Sequence, residues 1–213
     1  MMPIRRIAAC LVVMAGLYLA IDTVSRGQQA SQPATQGKDS TMSERNGAIT
    51  MHGKGLTLVG NEVKVGDAAP DFVAINNDMS TFKLSSLKGQ TVLLSAVPSL
   101  DTPVCSRETR RFNEEAAKIE GVKIVTISMD LPFAQTRWCA AEGIKNVVTV
   151  SDHRDASFGQ AYGLLIKELR LLARSAIVVD PQGKITYIEL VKEVTQDPNY
   201  DAALAAAKKA QGK

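Results

Sequence analysis

The chain has 213 residues, 45% of them hydrophobic and 22% charged, which fits one globular domain with a sizeable core and excludes a disordered chain. Its net charge is only +3 and no basic run is interleaved with aromatics, so nothing supports capture of nucleic acid; Lys208 and Lys209 read as a solvated helix end.

Residues 1–25 stand apart. Arg5 and Arg6 precede an uninterrupted apolar run, Ile7 to Ile21, closed by Asp22, which is the basic and apolar pattern of an export signal. The run is shorter than the roughly 20 residues that span a bilayer. Gln28-Gln29-Ala30 is a poor cleavage site, so a cleaved leader and a retained membrane tether through residues 7–21 both stay open. In either case the domain is expected outside the cytoplasm, periplasmic or anchored. Cys10 precedes most of the apolar run instead of following it, which argues against lipid attachment. Ser25 to Asn46 is rich in Gln, Ser and Thr, with Pro33 and Gly37, as in a flexible tether. The predicted division is therefore a leader or anchor over 1–25, a linker over 26–46 and one folded domain over 47–213.

Gly60-Asn61 between Leu56–Val59 and Glu62–Val65 predicts a hairpin. Short strands follow at Phe72–Ile75 and Thr81–Leu84. Thr91–Val97 is a continuous apolar run between Gly89 and Pro98, as expected of a strand buried on both faces. Phe112, Ala116 and Ile119 then mark a helix stopped by Gly121, and Val122–Ser128 the next buried strand. Asp130 is a candidate cap for a helix opening at Leu131-Pro132, whose apolar stripe reads as Ala134, Trp138 and Ala141 with Cys139 at its edge. Val147–Val150 predicts a strand and Ala156–Tyr162 a short helix. Ala176–Asp180 and Ile185–Leu190 form a hairpin about Pro181-Gln182-Gly183-Lys184, and Asp197 or Asn199 caps a last helix carrying Ala203, Leu204 and Ala207. Strand-helix-strand followed by a hairpin and a helix is an α/β arrangement of the thioredoxin-like kind, a central mixed sheet flanked by helices.

Two cysteines fall in the folded region, Cys105 and Cys139. Their separation excludes a CxxC dithiol, and with only the scattered His52 and His153 they lack zinc-ligand spacing. In an exported protein a structural disulfide is the plain alternative. Thr102 is placed to be an N-cap, with Pro103 at the first helical position and Cys105 at the third. A sulfur there sees unpaired backbone N–H groups and the positive end of the helix dipole, which favour thiolate, although many such cysteines are only small core residues.

Pro98, Thr102 and Cys105 spell PxxxTxxC, which resembles the active-site motif of the peroxiredoxins. The longer PSLDTPVCSRETRRFNEEA, with DLPFAQTRWC, SDHRDASFGQAYG, LLARSAIVVD and DPNYDAAL in order, is similar to the thiol peroxidase subfamily, of atypical two-cysteine type, over nearly everything from residue 47 onward. The resemblance implies the peroxiredoxin variant of the thioredoxin-like fold and no metal or organic cofactor. It implies Cys105 as peroxidatic and Cys139 as resolving cysteine, Thr102 and Arg174 as donors, Pro98 shielding the substrate pocket, and a redox disulfide between Cys105 and Cys139. Arg170 is the close rival to Arg174. The implied partners are a hydroperoxide, a thioredoxin or thioredoxin-like reductant, and a second copy in a homodimer; export makes a thioredoxin-like protein outside the cytoplasm the expected reductant. Asp101 and Glu108 read either as solvated charges or as acids placed to hold the arginine. Trp138 and Phe133 read as core, and His153 as structural. Two helix-borne sulfurs do not start within bonding distance, so local unwinding is expected before they join. A protein thiol-disulfide oxidoreductase and a non-enzymatic peroxide-sensing or structural thioredoxin-fold module are the rival functions, the first weakened by the missing CxxC.

Overall fold

The computed structural model of the chain describes residues 42–211, so the predicted leader, and the predicted tether through residue 41, lie outside the described residues. Its first element is a hairpin, β1 (Glu44–Met51) and β2 (Lys54–Val59), turned at His52 and Gly53, both with positive φ (52° and 77°). This moves the hairpin expected at Gly60-Asn61, since Glu62–Val65 forms no strand and Glu44–Asn46 belong to β1 and not to the tether. The reason lies across the fold. Gly60 has φ +115° and is pressed so closely on Gln160 that a Cβ would meet its carbonyl oxygen at 2.2 Å. The N–H of Asn61 donates to the same oxygen at 2.8 Å. The glycine therefore serves a close approach to the short helix α3 (Ser157–Ala161), not a turn.

The predicted strands appear as β3 (Val73–Asn76), β4 (Thr81–Lys83), β5 (Thr91–Ala96), β6 (Val122–Ser128), β7 (Val148–Ser151), β10 (Ser175–Val179) and β11 (Ile185–Leu190). They form one mixed sheet in the order β11-β10-β5-β6-β7-β3-β4, with β5, β6 and β7 parallel and β10 antiparallel to β5. A second sheet joins β1 and β2 to β8 (Leu165–Ile166) and β9 (Leu171–Leu172). These last two strands were not anticipated, because two residues carry no periodicity.

Side-chain alternation along β5 divides the core. Val92, Leu94 and Ala96 join the cluster of Phe72, Phe158 and Tyr162, while Leu93 joins Phe112, Ile124 and Leu204 beneath helices α1 (Pro103–Ala116) and α4 (Tyr200–Gln211). The loops leaving the carboxyl ends of β5 and β6 lead into α1 and α2 (Pro132–Glu142), the end of a parallel sheet where sites are built.

Helix capping follows the reading at α1 and α4, where Asn199 Oδ1 accepts the N–H of Ala202 at 3.0 Å. It departs from it at α2. The N-cap there is Leu131, without a side-chain cap, and the carboxylate of Asp130 turns back toward β5. The buried stripe of α2 is Pro132, Gln135 and Trp138, with Ala141 exposed. Phe133, expected in the core, is 65% exposed; five residues from Trp138, it falls on the far side of the helix.

Candidate active site

Thr102 ends the extended chain (φ −95°, ψ 146°) and caps α1, accepting the N–H of Cys105 at 3.4 Å, with Pro103 in the first turn. Its hydroxyl lies 2.8 Å from Cys105 Sγ as donor, with the carbonyl of Ser99, at 3.1 Å, the alternative acceptor. Cys105 is fully buried. Pro98, expected to shield the substrate pocket, is itself buried beyond the end of β5.

Arg174, immediately before β10, is 1% exposed and reaches the same sulfur from the strand next to β5, where Ser175 pairs with Ala96, Nη2 to Sγ 3.3 Å. Nε and Nη2 also donate to the carbonyl of Val194 at 3.2 and 3.1 Å, and Nη1 pairs with Glu108. Glu108 lies one turn along α1 from Cys105, fully buried, and accepts the hydroxyl of Ser95 at 2.8 Å. Burial pushes Glu108 up to about 7, with Arg174 and Ser95 opposing. Burial works against the charge of Arg174 too, but Glu108 and then Cys105 outweigh it, so the guanidinium is held more firmly protonated than usual. Its planar fork serves an acid from Nη1 and a sulfur from Nη2 at once, whereas an ammonium offers a single nitrogen without that fixed geometry.

Of the two acids considered as holders of Arg174, Glu108 has the role and Asp101 lies exposed. Arg170 sits exposed in the β8–β9 turn with φ 55°. Ser95 escaped the sequence reading, although a hydroxyl inside a doubly buried strand was a usable signal. His153 is engaged with the hydroxyl of Ser151, Nδ1 to Oγ 2.8 Å.

Cys139 is half-buried on α2, its Sγ 3.4 Å from Thr149 Oγ1. Burial pushes its thiol up, the threonine hydroxyl opposing. It packs against the small cluster of Val97, Leu100, Cys105 and Trp138, and both cysteines are free. Cys139 also borders an open cleft of about 400 Å³ with Asn77, Lys145 and Thr149. One sulfur is therefore sealed among donors, and the other stands at the edge of solvent.

Peroxide reduction by a thiolate asks a protein for an oriented sulfur and for donors that follow negative charge from the sulfur to the departing oxygen. On a thioredoxin-like scaffold, a helix-start cysteine set between a hydroxyl and a buried guanidinium defines a thiol-dependent peroxidase of the peroxiredoxin class. Residues 64–204 match the Redoxin family model. The thiol peroxidase of Bacillus subtilis (strain 168) is 57% identical over 160 residues, 75% of this chain and 96% of that one. The thiol peroxidase of Halalkalibacterium halodurans is 54% identical over 163 residues, 76% and 98% of the two. Among solved structures, a peroxiredoxin-like protein from Aquifex aeolicus superposes with a TM-score of 0.74 at 41% identity, covering 80% of this chain and 99% of that one. The chain belongs to the redoxin family, and within it to the thiol peroxidase subfamily of the peroxiredoxins.

Proposed function

We propose that Cys105 carries the peroxide-reducing step of this thiol-dependent peroxidase and that Cys139 resolves it. The observation that carries the reading is the pair of donors on Cys105 Sγ, the Thr102 hydroxyl at 2.8 Å and Arg174 Nη2 at 3.3 Å. The Cys105 thiolate attacks one peroxide oxygen, the O–O bond breaks, and the other oxygen leaves with its electron pair to be protonated to water or an alcohol. Thr102 and Arg174 stabilise the charge as it moves to that oxygen. Cys105 is left as a sulfenic acid. The Cys139 thiol condenses with it, releasing water and forming an intramolecular disulfide, which a dithiol donor returns to two thiols by exchange.

Local opening precedes access, because Cys105 has no exposed surface, and condensation then needs the two Cα atoms within about 7 Å. Adding one equivalent of hydrogen peroxide to the reduced protein and mapping products by mass spectrometry tests the assignment. The expected products are a Cys105–Cys139 disulfide in the wild type, a trapped Cys105 sulfenic acid in Cys139→Ser, and no peroxide consumption in Cys105→Ser. Undiminished consumption in Cys105→Ser sinks it.

The domain is exported, cleaved or anchored, and its reductant is a thioredoxin-like dithiol protein outside the cytoplasm. The apolar run Ile7–Ile21 behind Arg5 and Arg6 supports this, as do relatives matched over 96% and 98% of their own length that cover only 75% and 76% of this chain. The exposed Leu131 and Phe133 at the start of α2 support a homodimer. Cell fractionation and light scattering test these two readings; a cytoplasmic protein or a monomer at micromolar concentration overturns the respective one.

A further inference from the structure

We propose that Asp130 is a positioning residue for the peroxide reaction, a latch that holds the Cys105 loop against the start of the Cys139 helix and lets go before the disulfide forms. The proposal rests on the assignment of those two cysteines. Asp130 stands between β6 and α2, and its carboxylate reaches across to the loop after β5. Oδ1 accepts the hydroxyl of Ser99 at 2.7 Å, and Oδ2 accepts both the N–H of Leu100 and the hydroxyl of Ser128 at 2.7 Å.

These bonds continue to the sulfur. The carbonyl of Ser99 accepts the N–H of Thr102 at 3.2 Å and stands 3.1 Å from its hydroxyl, the one directed at Cys105. Leu100 packs in the same cluster as Cys105 and Trp138. Asp130 thus sets the residue that sets the donor, and it anchors one wall of the apolar cluster. On its other side it is tied to α2 and β7. Gln135 Nε2, on α2, donates to Ser128 Oγ and to the carbonyl of Val150, both at 3.0 Å, and the hydroxyl of Ser151 donates to the carbonyl of Asp130.

One carboxylate therefore joins the entrances of both cysteine helices through charge-assisted bonds. Opening the loop between β5 and α1, or lifting the segment that leads from β6 into α2, breaks them. While they hold, the donors stay aimed at Cys105 and Cys139 is kept in the α2 frame; once they break, the sulfurs meet. The latch favours the first chemical step and opposes the second.

Opposite effects on two successive steps distinguish a latch from a residue needed only for stability. Trp138, the single tryptophan, neighbours Cys139 and packs with Cys105, so its emission reports both steps in stopped-flow mixing with hydrogen peroxide. For Asp130→Ala the second-order rate constant for peroxide is expected to fall about tenfold, the scale of a small misplacement of reacting groups, while the first-order disulfide step rises about threefold as the open population grows. Asp130→Asn, which keeps one acceptor oxygen, falls between Asp130→Ala and the wild type. With excess peroxide, sulfinic acid at Cys105 decreases, because resolution outpaces the second oxidation.

Ser99→Ala removes one arm alone and is expected to move both constants in the same opposite directions; it carries the test if Asp130→Ala does not fold. A lowered Tm with both constants unchanged, or both constants falling together, overturns the latch. A Cys105→Ser protein that keeps the peroxide-dependent phase overturns the cysteine assignment, and the latch with it; a normal Cys105→Ser control with wild-type constants in the Asp130 and Ser99 variants overturns the latch alone.

Discussion

Arg174 is asked to serve a carboxylate, a sulfur and a backbone carbonyl from one buried position. The guanidinium does this from three separate nitrogens in a fixed fork, which one ammonium nitrogen cannot reproduce, so Arg174→Lys is a severe change despite the retained charge. The second-order rate constant with hydrogen peroxide is expected to drop about a hundredfold, as for removal of a donor to a developing oxyanion, measured by peroxide consumption. A constant within twofold of the wild type rejects the donor role. At this scale PxxxTxxC and the ARSAIVVD segment were legible, because a cap, a proline and a cysteine at fixed helical offsets announce their geometry locally. Glu108 was legible only as one of two candidates, since helical spacing puts it a turn from Cys105 without saying that Arg174 arrives there from a distant strand. Ser95 and Asp130 were not legible as site residues at all: their partners lie 13 and about 30 residues away, in register set by the sheet and the loops.

Among the elements, the long apolar strands and the amphipathic helices follow from period and punctuation, because burial on one or two faces is written into the side chains. The N-terminal hairpin does not. Gly60-Asn61 has turn chemistry, yet its backbone is committed to α3, and the chain turns eight residues earlier at His52-Gly53. Gly60→Ala is expected to lower stability by about 2 kcal/mol or more, since a methyl group there meets backbone atoms at a φ that side chains rarely adopt. Urea denaturation checks this, and an unchanged midpoint would show that the contact relaxes freely. Likewise, the acid preceding α2 had the right position for a cap, but a carboxylate offered two hydroxyls and an N–H across the site makes those bonds instead.

Over the whole molecule, Glu193 fastens the N-terminal hairpin to the segment after β11. Its carboxylate accepts the hydroxyl of Thr50 at 2.7 Å, that of Thr195 at 2.7 Å, and the N–H groups of His52 and Gly53. These bonds, the Thr50 hydroxyl first, hold its carboxyl well down, to about 2 from an ordinary 4.5. A depressed carboxyl contributes stability that is full above the unfolded value and is lost as pH falls through the folded one. Tm is therefore expected to decline between pH 4.5 and about 2, and Glu193→Gln to remove part of that slope while leaving lower stability at pH 7. Superimposable Tm-against-pH curves for the two proteins refute this.

The sequence by itself determined the thioredoxin-like order of elements, the two cysteines and the capped helix start, because hydrophobic period, capping offsets and cysteine spacing are local quantities. Only the tertiary structure decided that Glu108 rather than Asp101 holds Arg174, and that the Asp130 carboxylate reaches the loop between β5 and α1. Those contacts join residues tens of positions apart, and their distances are set by sheet register and packing, which no local pattern in the chain encodes.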